Sequence, residues 1–446
     1  MIIVSILIML NFTGCTGLFS SPVSLMSPPR SSGDLVKIEE TLAKLKPDYE
    51  LSYPSNGDYR NAIIIRDLNG DKRNEAIVFY QTSEKQTITV HMNILSKSKD
   101  EWISKYDVAL SGTGVERIEF CDVCGDSNEE ILVGSKLFNN NEQELNVYKY
   151  ESNQVKLLAQ ERYTNFCTAN LGASDKPQIL ILKISSQTTA EVAGTKDSNV
   201  YQDVSAKLVS FSYENENSAI ALGSVSFDNS IVSFSDAKIG PINENQNGVF
   251  VDAVLSNSAM ITEVFYYNET LKTTFYDKRA HITNITYRDA LVNSMDINGD
   301  GKIEIPSCYV CPGYEGVENP NEKAYFIEWY GLNNQTITDK VTSGFLNSSD
   351  NYFISTKDSL AGKVTYQRNL DERERTFYEW NFTKQSYGEM LFKIKVFLKS
   401  EFEKNKQGYT KLKSDNEYIY AAKVNNEANS ENKISIDELK KNIVLL

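Results

Sequence analysis

Asp67-Leu68-Asn69-Gly70-Asp71-Lys72-Arg73-Asn74-Glu75 is the stretch that decides the fold, because its nine-residue frame returns twice more without a gap. The second copy runs from Asp122 through Cys124, Gly125, Asp126 and Asn128 to Glu130. The third runs from Asp296 through Asn298, Gly299, Asp300 and Lys302 to Glu304. All three place oxygen ligands at loop positions 1, 5 and 9, and Asn69 and Asn298 add one at position 3. Ca²⁺ takes six to eight oxygens on a tightly curled backbone, and alternating acidic residues around a glycine supply both. The expected calcium ligands are therefore Asp67, Asn69, Asp71, Arg73 and Glu75, and Asp296, Asn298, Asp300, Lys302 and Glu304. Arg73 and Lys302, at position 7, would serve through their backbone carbonyls. A weaker or empty site is expected at Asp122, Asp126, Asn128 and Glu130, because the Cys124 thiol at position 3 is a poor calcium ligand.

The flanks choose between calcium motifs. An EF-hand needs a bidentate Glu at position 12 and a helix on each side. In the third copy position 12 is Ser307, beside Pro306. Ala62–Ile65 precedes the first copy, Ala76–Tyr80 follows it, and Ile131-Leu132-Val133 follows the second. These short β-branched runs read as strands. The unit is strand–loop–strand.

This frame between strands resembles the FG-GAP, or VCBS-type, repeat of integrin α-subunit propellers and of many bacterial surface lipoproteins. The resemblance covers roughly residues 55–345. It implies a mainly β fold, a β-propeller of four-stranded blades, in which each loop joins neighbouring strands of one blade around a structural calcium. The first unit is expected to place strands at 61–66, 75–81, 87–95 and 101–109, and the second at 115–121, 130–135, 144–150 and 154–163. A spacing of about 50 residues suits such blades. Two further units, Asn170–Gln178 and Ile239–Gly248, keep the frame without the carboxylates, and no calcium is assigned to them. Five units precede residue 345, and a sixth or seventh blade is left open.

Composition agrees with an ordinary folded chain, 41% hydrophobic and 24% charged, rich in Tyr (25) and Phe (20) and poor in Pro (10). A formal net charge of −14 argues against a nucleic-acid partner, since no excess of Lys and Arg exists to replace counterions. With only His91 and His281, chemistry that needs several imidazoles is nearly excluded.

Residues 1–10 form an apolar run too short to span a bilayer but suited to the core of a signal peptide, although no basic residue precedes it. The run ends at Phe12-Thr13-Gly14-Cys15, which resembles the lipobox of bacterial lipoproteins; the alternative is a buried strand with a chance cysteine. On that reading residues 1–15 are a lipoprotein signal, Cys15 carries the lipid and residues 16–33 are a tether. The chain would sit on the extracytoplasmic face of the cell membrane, held by its lipid alone. Residues 34–46 predict a helix stopped by Pro47, and the domain to 349 holds the propeller. Residues 350–446 read as a small α+β module or a ring-closing segment. In it a strand is expected at 392–396, a helix at 399–407 and a strand at 418–422. A capping box at Ser435 opens a last helix that presents Leu439, Ile443 and Leu446.

Two CxxC pairs, Cys121/Cys124 and Cys308/Cys311, admit zinc, a disulfide or buried free thiols. The charge run Asp371–Arg375 is expected in a solvated turn. No catalytic motif is present. The leading expectation is a non-enzymatic, Ca²⁺-stabilised platform for an unknown protein or a cell-wall glycan. The alternative is a carbohydrate-active enzyme, a glycosidase or lyase, at a propeller channel.

Overall fold

A computed structural model describes residues 33–84, 87–138, 142–188, 200–212, 218–276 and 284–446. Cys15, the apolar run before it, the tether up to residue 32 and His281 lie outside the described residues. The chain is mainly β, and its described residues form six antiparallel sheets in sequence order. Sheet 1 contains β1 (Glu50–Leu51), β2 (Ile63–Arg66), β3 (Glu75–Glu84), β4 (Thr87–Ser98) and β5 (Glu101–Ala109); β1 and β2 both pair with β3. Sheet 2 is β6 (Gly114–Cys121), β7 (Glu130–Lys136), β8 (Gln143–Glu151) and β9 (Gln154–Tyr163). Sheet 3 is β10 (Asn165–Ala169), β11 (Gln178–Thr188), β12 (Val200–Ser212) and β13 (Ser218–Ser226). Sheet 4 is β14 (Ile231–Asn243), β15 (Gln246–Leu255), β16 (Met260–Asn268) and β17 (Thr270–Thr273). These four are meanders, and in sheets 1 and 2 every expected strand is found within three residues of its expected ends.

The last two sheets depart from the expected domain plan. Sheet 5 joins β18 (Ile305–Val310), β19 (Tyr325–Asn333), β20 (Thr336–Asn347) and β21 (Tyr352–Ser355). The expected boundary at 349/350 therefore falls between two paired strands, Phe345 facing Ile354. Sheet 6 holds β22 (Val364–Asn369), β23 (Glu374–Asn381), β24 (Ser386–Leu398), β25 (Thr410–Ser414) and β26 (Tyr418–Val424). Of the charge run expected in a solvated turn, Asp371–Arg373 make the turn between β22 and β23, whereas Glu374 and Arg375 belong to β23 and Arg375 is buried. The unit expected at Ile239–Gly248 is instead a tight hairpin, with Asn243 opposite Gln246, so no nine-residue loop exists there. At the C-terminus the capping box forms: Ser435 Oγ accepts from Glu438 N (3.2 Å) and Ser435 N donates to Glu438 Oε2 (2.9 Å). The helix nevertheless ends at Asn442, because Ile443–Leu445 pair as β27 with the free edge of β21.

Alternating side chains give each inner sheet two apolar faces, and the sheets stack through them. Ile77, Phe79 and Met92 of sheet 1 meet Ile131, Val133 and Tyr148 of sheet 2. Leu132 and Val147 on its other face meet Ile179 and Phe211 of sheet 3. Further cores join sheets 3 and 4 through Leu180 and Val251, and sheets 4 and 5 through Phe250 and Ile305. Sheets 5 and 6 meet at Phe345 and Phe377.

Between sheets 4 and 5 the segment 284–295 inserts a buried ion pair, Arg288 Nη2 to Asp252 Oδ1 at 2.7 Å, with both side chains at most 1% exposed. The pair is fully bonded. Thr262 Oγ1 (2.6 Å) and Ser294 N (2.7 Å) also donate to Asp252, while Arg288 donates to the carbonyls of Val292 and Thr286.

The two ends of the row differ from its interior. Helix α1 (Gly33–Leu45) lays Ile38 and Leu42 on the outer face of sheet 1, against Ala76, Val78, Tyr80 and Trp102. Burying those two aliphatic side chains contributes roughly 1.5–3 kcal/mol each. On the outer face of sheet 6, helix α2 (Lys399–Asn405) covers one corner through Phe402, packed on Phe397 and Ala421. The rest of that face is polar and half-exposed, with Lys393 bonded to Glu374 (2.8 Å) and Lys395 to Glu372. Among the described residues no hydrophobic cluster joins sheet 6 to sheet 1.

Candidate metal centres

The three carboxylate loops share one local architecture, which grows out of their first and last residues. In loop 67–75 Asp67 Oδ1 accepts from Gly70 N (2.8 Å) and Oδ2 from Lys72 N (2.8 Å), pinning the curl in place. In loop 296–304 Asp296 does the same for Gly299 N (2.7 Å) and Gly301 N (2.8 Å). Asp122 holds Gly125 N (2.6 Å) and Ser127 N (2.9 Å). The curl needs left-handed backbone at positions 4 and 6, supplied at 4 by Gly70, Gly125 and Gly299. Position 6 is Gly301 in the third loop, whereas Lys72 (φ 67°) and Ser127 (φ 71°) accept the strain in the others.

The far end of each loop is a buried acidic side chain at the start of the next strand (Glu75, Glu130) or one residue before it (Glu304). Glu75 Oε2 accepts from Leu68 N (3.1 Å) and Glu304 Oε2 from Ile297 N (3.0 Å). Glu130 Oε2 is displaced by one residue and accepts from Cys124 N (3.0 Å). Burial pushes all three carboxyls above the usual range, Glu304 and Glu130 to about 7, with Asp67 and Asp71 adding to the effect at Glu75. Position 2 is a buried apolar anchor in every copy: Leu68, Val123 and Ile297. That regularity is legible in the sequence itself.

The degenerate loop at Asn170–Gln178 keeps the anchor and the closing bond but not the curl, since its left-handed residue is Gly172 at position 3 and Asn170 Oδ1 accepts from Gly172 N (3.0 Å). Leu171 is its buried anchor, and Gln178 Oε1 accepts from Leu171 N (2.9 Å) as the glutamates do. Its amide then donates to Ser174 Oγ (3.0 Å) and to the Lys176 carbonyl. Loops 67–75, 122–130 and 170–178 are neighbours along one edge of the array. A side chain at Gly70 would meet Asn128 Oδ1 at 2.9 Å, and Lys176 Nζ donates to the Cys124 carbonyl (3.0 Å).

The donor chemistry of the first and third loops, carboxylate, carboxamide and carbonyl oxygen, suits a hard cation. Asp71, Asp300 and their neighbouring asparagines spend oxygens on the loop's own N–H groups: Asp71 Oδ1 takes Arg73 N (2.8 Å) and Asp300 Oδ1 takes Lys302 N (2.9 Å). Among the described residues no group of three or more His, Cys, Asp or Glu is gathered closely enough to hold a metal. In the second loop a lysine joins the acidic groups. Lys149 Nζ contacts Asp126 Oδ2 and lies 3.9 Å from Glu130 Oε1, with its side chain 4% exposed. Burial opposes its charge, yet the bond to Asp126 and the field of Glu130 hold its pKa above the usual lysine value.

The remaining candidates resolve simply. Cys121, Cys124, Cys308 and Cys311 are free thiols, and burial pushes Cys121 up to about 11 and Cys124 and Cys308 up to about 12. Cys124 and Cys311 are buried and Cys121 and Cys308 half-buried, so all four are held as protonated thiols, the less reactive form. His91 stacks on Tyr80 (ring centroids 4.8 Å apart), and the Tyr80 hydroxyl donates to Asp107 (2.8 Å). An open groove of about 780 Å³ lies on the outer face of sheet 6. Its Glu374 is opposed by burial but held below the usual range by Lys393 and Tyr409, so it stays ionised and offers no proton.

No family model matches this chain, and no curated protein does. Among solved structures it is similar to that of Sqt1 from Chaetomium thermophilum, with 8% identity and a TM-score of 0.30 over 86% of this chain and 99% of that one. A protein from Lactobacillus plantarum is similar over 76% of this chain and 93% of its own, with 7% identity and a TM-score of 0.27. At such scores neither likeness carries an argument about fold or function.

Proposed function

We propose that the chain is a surface-anchored, calcium-stabilised β-repeat protein whose six sheets are propeller-type blades serving as a non-enzymatic binding platform. The observation that carries this reading is the shared architecture of loops 67–75 and 296–304. Each sets oxygen-bearing side chains around a curl closed by its own aspartate. In the first, Asp67, Asn69, Asp71 and Glu75 with the Arg73 carbonyl would hold Ca²⁺. In the third, Asp296, Asn298, Asp300 and Glu304 with the Lys302 carbonyl would do so. Bound calcium would offset the acidic side chains of these loops and tie each loop to the strand after it.

Loops of this kind saturate their metal with chain ligands, so the ion's part is structural. Its stabilisation follows mass action and grows with calcium above the dissociation constant. Outside the cell, where Cys15 would anchor the chain, even millimolar affinity suffices. The partner would be another surface protein or a cell-wall glycan. Thermal unfolding of the full chain in millimolar calcium and in EGTA tests the metal: a higher midpoint in calcium is expected, and an unchanged midpoint overturns the reading. Retention on isolated cell walls in the same two buffers tests the platform, with calcium-dependent retention expected.

A further inference from the structure

We propose that Lys149 is the built-in cation of the second loop, its ammonium standing where loops 67–75 and 296–304 would take calcium, so that loop 122–130 folds without metal. The proposal rests on the calcium reading above for its comparison, but its evidence lies in the second loop itself. The two oxygens that meet the ammonium belong to Asp126 and Glu130, the residues at positions 5 and 9. Those are the positions that supply acidic ligands in the other two copies. Glu130 is fully buried, and among the described residues its Oε1 meets no N–H or O–H donor, so its ionised form needs a positive charge close by. The ammonium, 3.9 Å away on a side chain 4% exposed, is placed to give it one.

Register explains why this lysine serves one loop. Strand β8 pairs with β7 through Tyr148 opposite Ile131, which sets Lys149 beside Glu130, one residue further along the ladder. In sheet 1 the residue across from Glu75 is Ser96. In sheet 3 the same step past Val209, opposite Ile179, reaches Ser210, and in sheet 5 the step past Tyr330, opposite Ile305, reaches Gly331. None of these three carries charge. Loop 170–178 solves the problem differently, because Gln178 replaces the glutamate and brings its own N–H donors. The one copy that keeps acidic side chains and loses its position-3 oxygen to Cys124 is also the copy that faces a lysine.

Lys149→Ser in the full chain, stripped of divalent ions, tests this directly, since serine is what sheets 1 and 3 carry at that place. Titration with calcium is expected to find one more bound equivalent per chain than in the wild type. The variant's melting midpoint should fall in EGTA and recover in millimolar calcium. An unchanged stoichiometry overturns the proposal, as does a variant that calcium fails to fold. A wild type that binds no calcium would sink the reading of the first and third loops alone; a gain from none to one in Lys149→Ser would still uphold Lys149. The reciprocal variant Ser96→Lys is expected to lose one equivalent from a calcium-binding wild type, and its retention of full stoichiometry would count against the proposal.

Discussion

Loops 67–75 and 122–130 lie side by side on consecutive sheets, close enough that a Cβ at Gly70 would lie 2.9 Å from Asn128 Oδ1. Both curl around an aspartate at position 1 and end on a buried glutamate. They differ in how the negative charge inside is met. The first faces Ser96, a neutral residue, whereas the second faces Lys149. Burial raises Glu75 and Glu130 alike, and Asp67 and Asp71 raise Glu75 further, while Lys149 pulls the other way at Glu130. The lesson is that a nine-residue frame specifies backbone shape, and that the charge balance of its interior is set by whatever the next strand brings alongside. Repeats of one shape therefore differ in what they need from solution.

The sharpest way to break this comparison is to remove an internal partner where no metal is involved. Asp252, bonded to Arg288 between sheets 4 and 5, is such a case. Asp252→Ala leaves a fully buried guanidinium without its charge partner and is expected to cost about 3–5 kcal/mol in urea unfolding. A loss below about 1 kcal/mol would mean that buried charge in this chain is cheaper than the loops imply.

A smaller effect separates the two loops themselves. Asp67→Ala and Asp122→Ala each strip acceptors from the backbone of a half-exposed curl, so each is expected to cost about 1–2 kcal/mol in EGTA. Only Asp67→Ala should also shrink the calcium-dependent rise in melting midpoint. Equal shrinkage in both variants would erase the distinction between a loop that takes its cation from solution and one that carries its own.

How much of this was legible in the sequence varies by element. The strands of sheets 1 and 2 could be read because β-branched and aromatic runs alternate between turn-rich loops, and burial on both faces is what those runs require. The final strand could not. Leu439, Ile443 and Leu446 fit a helical face behind a real capping box, and only the free edge of β21, nearly ninety residues earlier, draws Ile443–Leu445 out of the helix. The hairpin at Asn243–Gln246 is ambiguous in sequence for a local reason, since Gly and Asn punctuate loops and tight turns alike. For the metal loops the ligands and the backbone curl were visible, because they are local. Lys149 was not, since it sits 19 residues beyond Glu130 and meets it only through the register of β7 and β8. The helix over the outer face of sheet 1 was readable as a helix, but its partner was not.

Glu263 offers the finest test, because among the described residues it meets its charge with N–H donors and no cation. Its Oε1 accepts from Thr274 N (2.9 Å) and Phe275 N (2.6 Å) on a fully buried side chain. Burial nonetheless outweighs those bonds and leaves its pKa above the usual carboxylate value. A carboxyl that holds its proton more tightly when folded stabilises the fold fully below its unfolded pKa and loses that contribution as pH rises through the folded one. Glu263→Gln keeps an acceptor for both N–H groups and removes the ionisation. Urea unfolding of this variant is expected to change less between pH 4 and pH 8 than that of the wild type, with the variant gaining relative stability at the alkaline end. The opposite trend would show that the N–H donors alone stabilise the ionised form, in which case the loop glutamates would need less help from calcium or lysine than their burial suggests.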